Sequence, residues 1–176
     1  MRSSLIILLF LLTILSGCSR QDQGKSIKRE EFEMPDIILN DTKYTLSTGE
    51  GEPILIEAKE MKVFLNEDKV LVSNLTFSQK DDEGNDYITG SAYSGAINTK
   101  DKICSFSGRT SLKQHIDNLS IEAESLTFDS RDNTVSVKGN VSVSFPGGYI
   151  EGRDLFANLT RMDLELREIN KGEVDN

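Results

Sequence analysis

From Val135 to Phe145 the chain sets Val135, Val137, Gly139, Val141, Val143 and Phe145 against Ser136, Lys138, Asn140, Ser142 and Ser144. A strict period of two excludes a helix, whose apolar face recurs every three or four positions. It fits a strand with one face buried and one wet. No stretch of the mature chain has a convincing helical period. Turn chemistry falls at Asn66-Glu67-Asp68, Asp81-Asp82-Glu83-Gly84-Asn85, Arg131-Asp132-Asn133 and Pro146-Gly147-Gly148.

Four segments share one pattern: Ile56–Val63, Ile88–Gly95, Ile121–Phe128 and Ile150–Ala157. Each has Ile, a small residue two later, and a large apolar residue three after that: Met61, Tyr93, Leu126 and Leu155. The starts lie 32, 33 and 29 residues apart, so the unit is a strand pair. A step of three would throw the next apolar side chain onto the wrong face. One extra residue in these strands, a β-bulge, would restore the phase and bend them. The expected fold is all-β: antiparallel hairpins of about 30 residues, each bent at the same place, wrapped into an elongated twisted sheet or flattened roll.

The N-terminus reads as a secretory signal over residues 1–17, with Arg2, an apolar run from Leu5 to Leu15, then Ser16 and Gly17 before Cys18. The run is short of the roughly 20 apolar residues a membrane span needs. Leu15-Ser16-Gly17-Cys18 resembles the lipobox of bacterial lipoproteins, which implies a lipid on Cys18 and a membrane anchor through it. Residues 18–34 read as the lipidated cysteine and a polar tether, reaching about 50 Å at roughly 3.3 Å per residue. Residues 35–169 form the expected domain, and 170–176 a disordered tail. Removing the signal leaves 19 basic against 29 acidic residues, a net charge of −10, which argues against nucleic acid. Cys104 would then be the one remaining thiol, expected to be buried, with no disulfide possible.

Ile121–Phe128, Val135–Val143 and Tyr149–Leu155 together are similar to the OstA-like repeat of the periplasmic lipopolysaccharide-export bridge, shared by its A and C components. The stretch Met34–Tyr44 leading to Leu55-Ile56-Glu57-Ala58 is most like the C component. That component ordinarily has a transmembrane helix where this chain has a lipobox. The resemblance implies a β-jellyroll with an apolar groove holding the acyl chains of lipopolysaccharide or a related glycolipid. It also implies pairing, through edge strands near Ile37 to Leu46 and Met162 to Ile169, with other jellyroll components and the inner-membrane ABC transporter. Asp163, Glu165, Arg167 and Glu168 on the second edge also read as charges that guard it. Groove candidates are Ile56, Met61, Val63, Ile88, Tyr93, Ile121, Leu126, Phe128, Val141, Val143, Ile150 and Leu155. The expected location is the periplasmic face of the envelope. The family resemblance implies the inner membrane, whereas Ser19 after the cysteine points to the outer one.

Catalysis has little support. His115 is the one histidine, with no second ligand at metal spacing, and Glu57, Glu60, Glu122 and Glu124 recur with the repeat as a solvated face. No metal or cofactor is expected. The competing reading is a lipid-anchored structural β-repeat that binds protein or glycan and carries no lipid.

Overall fold

The repeated segments fall on alternate strands of one sheet. The computed structural model describes residues 34–47 and 52–174. The expected signal segment, Cys18 and the tether up to residue 33 lie outside them. The strands are β1 (Ile37–Leu46), β2 (Ile54–Phe64), β3 (Lys69–Lys80), β4 (Asp86–Asn98), β5 (Ile103–Gln114), β6 (Leu119–Asp129), β7 (Thr134–Phe145), β8 (Gly148–Asn158) and β9 (Asp163–Val174). They form a single antiparallel sheet in sequence order, and the described residues contain no α-helix. Ile56, Ile88, Ile121 and Ile150 begin the repeat on β2, β4, β6 and β8.

The sheet curls back on itself. The Tyr87 hydroxyl on β4 donates to the Leu159 carbonyl just after β8, at 3.3 Å. Four strand spacings would separate those positions by roughly 19 Å in a flat sheet. Phe77 of β3 and Phe106 of β5 stack inside with ring centroids 4.6 Å apart. One contiguous core results, drawn from β1 through β8 and ending at Leu159.

A row of irregular positions crosses the strands where the sequence has its step of three. In β1 to β4 the residues Asp41, Lys59, Asn74 and Tyr93 fall out of the ladder side by side, without a register slip between them. Further on, the slip is real, but it is not carried by the repeated strands as expected. The extra residue sits on β5 at Gly108-Arg109, on β7 around Gly139 and on β9 at Asn170. The physical reason is backbone sign: Gly108, Arg109 and Gly139 all have positive φ, and glycine takes that conformation without a Cβ clash. From β4 to β9 the even strands change phase and the odd strands absorb the length, whereas β3 changes phase with no extra residue.

The C-terminal boundary also differs from expectation. Residues 170–174 are not a frayed tail but the end of β9, with Lys171 opposite Glu151 and Val174 opposite Gly148. Ladder hydrogen bonds belong to the backbone, so a polar sequence can hold a strand once a neighbour offers its edge. Lys171 Nζ also sits over the Tyr149 ring, 5.2 Å from its centroid.

Cys104 is fully buried on β5. Burial, with the Asp129 carboxylate nearby, pushes its thiol up to about 12. Since only the thiolate is nucleophilic, iodoacetamide at pH 7.5 is expected to leave Cys104 unmodified in the folded chain and to alkylate it in urea. Rapid labelling of the native protein by mass spectrometry would refute that burial.

Candidate functional site

Inward-facing side chains on β2, β4, β6, β7 and β8 converge on the interior because each strand keeps its apolar set on one face through the bend. Nine of the expected groove residues meet there: Ile56, Met61, Ile88, Ile121, Leu126, Phe128, Val141, Val143 and Leu155, none more than 4% exposed. Val63 is half-buried and packs against this cluster, while Ile150 is half-buried near the C-terminal end of the sheet. Tyr93 does not belong with them. It is 66% exposed, because the step of three on β4 turns it outward. There it lies on Gly108, whose absent Cβ would come within 2.7 Å of the Tyr93 Cβ. Tyr93 thus covers the β5 bulge from outside.

The interior is closed in the middle and open at both edges of the sheet. On β1, Ile37 and Leu39 pair with the inward Val63 and Met61, yet they are 43% and 40% exposed. On β9, Leu164 and Ile169 pair with the inward Ala157 and Gly152, and they too are exposed. The apolar face therefore runs out past the packed core at each end. Sequence reasoning placed strands at these edges but not these side chains at the lips. An edge residue has the same alternation as a core residue; only the missing next strand exposes it.

The hollows on the described surface lie elsewhere. One of about 650 Å³ sits at the bulge row, bordered by the outward Arg109, Glu122, Glu124 and Glu151 and reaching the small inward row of Thr110, Ala123, Val141 and Gly152. A second, of about 620 Å³, is bordered by the outward Glu57, Thr76, Ser91, Ser111 and Lys113. Cross-strand hydroxyl pairs floor this face, Ser91 with Ser111 at 3.0 Å and Ser94 with Ser107 at 2.8 Å.

Charge on the sheet is mostly local bracing. Lys43 pairs with Glu57 at 2.6 Å and Lys59 with Asp41 at 2.7 Å, both exposed. Three of the proposed guard charges on β9 have partners: Arg167 reaches Asp154 at 3.6 Å, Glu168 reaches Arg153 at 3.9 Å and Asp163 reaches Arg161 at 3.2 Å. Among the described residues no group of three His, Cys, Asp or Glu side chains could hold a metal. His115 lies at the β5–β6 turn with Nε2 2.8 Å from the Thr89 hydroxyl.

Asp154 clamps the bend. Its Oδ1 accepts the Gly139 backbone N–H at 2.8 Å, tying the β7 bulge to β8. That hydrogen bond first, then Arg167 and Arg153, holds its carboxyl below the usual range. Asp81, Asp86 and Asp129 are lowered as well, chiefly by hydrogen bonds from Asn85, Lys80 and Arg131. A depressed carboxyl contributes stability that is full above its unfolded value and lost as pH falls through its folded value. The melting temperature is therefore expected to hold from pH 7 to 5 and to drop below about pH 4. Asp154→Asn should melt lower than wild type at pH 7 and converge with it in acid. A constant gap across the range would remove Asp154 from the account.

The family model described as lipopolysaccharide-assembly, LptC-related, matches residues 5–175. No curated protein sequence matches the chain at a significant level. Among solved structures, the fold is similar to LptH of Pseudomonas aeruginosa, the LptA-homologous periplasmic component of the conserved lipopolysaccharide transport device. The TM-score is 0.58 at 12% identity, over 65% of this chain and 82% of that one. The all-β roll is thus the jellyroll expected of the export-bridge proteins. With nearly its whole length matched, the chain belongs to the LptC-related family of lipopolysaccharide-assembly proteins.

Proposed function

We propose that this protein is a periplasmic segment of a glycolipid-export bridge, carrying lipopolysaccharide by its acyl chains and passing it from one jellyroll to the next. The observation that carries the reading is the apolar face that continues beyond the core at β1 and again at β9. A lipid moving between such edges stays on an apolar path while its sugars remain in water. Each methylene kept out of water is worth about 0.8 kcal/mol. Among the described residues β1 and β9 each have a single neighbour in the sheet, so their outer backbone edges could take a strand from a neighbouring jellyroll component, or from the inner-membrane transporter. A lipid on Cys18 would tether the whole to the periplasmic face of a membrane. The twelve groove candidates divide under this reading. Val63 and Ile150 guard the entrances, the nine core residues are reached as the edges part, and Tyr93 is outside the path.

A second reading, a lipid-anchored scaffold for protein or glycan, is favoured by one observation: the core side chains are packed shut, none of the nine more than 4% exposed. Native mass spectrometry of the full chain purified from a bacterial envelope separates the two. A carrier is expected to bring glycolipid with it, and Ile150→Asp should cut the bound fraction at least about tenfold, because a carboxylate is costly against an acyl chain. Circular dichroism checks that the half-buried substitution leaves the sheet intact. A wild-type chain free of lipid, even after incubation with excess lipopolysaccharide, would sink the carrier reading in favour of the scaffold.

A further inference from the structure

Thr110 breaks the pattern of the interior. It lies on the inward face of β5, between Phe106 and Leu112, and is 1% exposed. Its Oγ1 has no hydrogen-bond partner. Buried hydroxyls nearly always have one, and an unmet one costs about 1–3 kcal/mol. Valine has almost the same shape and would avoid that cost. The two other unpartnered buried oxygens, on Gln79 and Asn133, belong to amides at strand ends beside loops, whereas Thr110 is in mid-strand.

What surrounds it is small. Thr110 pairs with Ala123, which pairs with Val141, which pairs with Gly152, and all of them share the inward face at the bend. Ala92 occupies the same row on β4 and is also buried. Small neighbours flank the buried hydroxyl, and none of them carries a side-chain acceptor for it. The step from Phe106 to Thr110 spans the Gly108-Arg109 bulge, so this is where the inner face is least constrained by the ladder.

We propose that Thr110 is a specificity-determining contact, donating a hydrogen bond to the carbonyl at the head of an acyl chain. The interior then selects ester- or amide-linked acyl lipids over ether-linked or plain hydrocarbon chains. This rests on the carrier reading above and deepens it. An acyl chain brings a single strong acceptor into an otherwise apolar space, and a lone donor inside an apolar face is the complement of that chemistry.

The test uses the full chain in a maltoside detergent, which contains no carbonyl, titrated with a synthetic diacyl glycolipid and its di-ether counterpart. Wild type is expected to favour the diacyl form about tenfold, the worth of one good hydrogen bond. Thr110→Val should lose that preference and melt higher than wild type, while Thr110→Ser keeps the preference. Opposite signs for stability and selectivity are what a purely structural threonine would not give. A Thr110→Val chain that still prefers the diacyl lipid, or that melts lower, overturns the proposal. Wild type binding both lipids equally would overturn it while leaving the carrier reading intact; binding neither would end both.

Discussion

Phe106→Ala is expected to lower the unfolding free energy by about 4 kcal/mol, read as a shift of the urea midpoint at unchanged slope. Phe106 is 2% exposed and stacks on Phe77 with their planes 4° apart. Gly95 supports the same ring, since a Cβ there would lie 3.0 Å from Phe106 Cδ1. The ring is thus held by a strand neighbour and by the stacked ring of β3. Removing it opens a cavity that β-sheet backbone cannot collapse to fill. A domain of this size has roughly 5–15 kcal/mol in all, so the loss would be a large share of it. A cost under about 1 kcal/mol would mean that the two rings do not form the centre of the core.

Gly90→Ala should be nearly as damaging, at about 3 kcal/mol. The added methyl would sit 2.2 Å from Phe77 Cζ and 2.4 Å from the Ser111 carbonyl oxygen. The Phe77 ring can tilt, but the carbonyl is held in the β4–β5 ladder, where Gly90 is opposite Leu112. Two effects oppose each other here. Alanine restricts the unfolded chain and would stabilise by about 0.4–1 kcal/mol, but overpacking against fixed backbone is larger and wins. The double variant Gly90→Ala with Phe77→Leu should regain part of the loss relative to the sum of the singles, since only the ring clash is relieved. Equilibrium unfolding of the four species decides it. A Gly90→Ala chain as stable as wild type would show that the ring does not lie over Gly90.

Both predictions concern contacts that sequence patterning could not supply. The alternation in β7 and the four copies of the repeat named the strands, their order as hairpins and the inward side chains of β2, β4, β6 and β8. Ile56, Met61, Ile88, Ile121, Leu126 and Phe128 were legible because period two in a half-buried strand reports one face directly. Tyr93 was misplaced for an instructive reason. The repeat aligns it with Met61 and Leu126, but β4 takes its step of three two residues later, from Ala92 to Gly95. Alignment of copies carries residue type across, not phase.

What the sequence determined by itself is therefore the part of the structure that is local: strand, turn, face and the existence of a bend every repeat. Those depend on backbone preferences and on the chemistry of neighbours a few residues apart. Only the tertiary structure decided where the extra residues of the bend are housed, that polar residues 170–174 complete an edge strand, and which apolar side chains end at a lip instead of a core. Each of these depends on which strand lies alongside, or on none doing so. Thr110 is the clearest case: its sequence is that of an ordinary strand threonine, and only the closing of the roll over it leaves the hydroxyl buried without a partner.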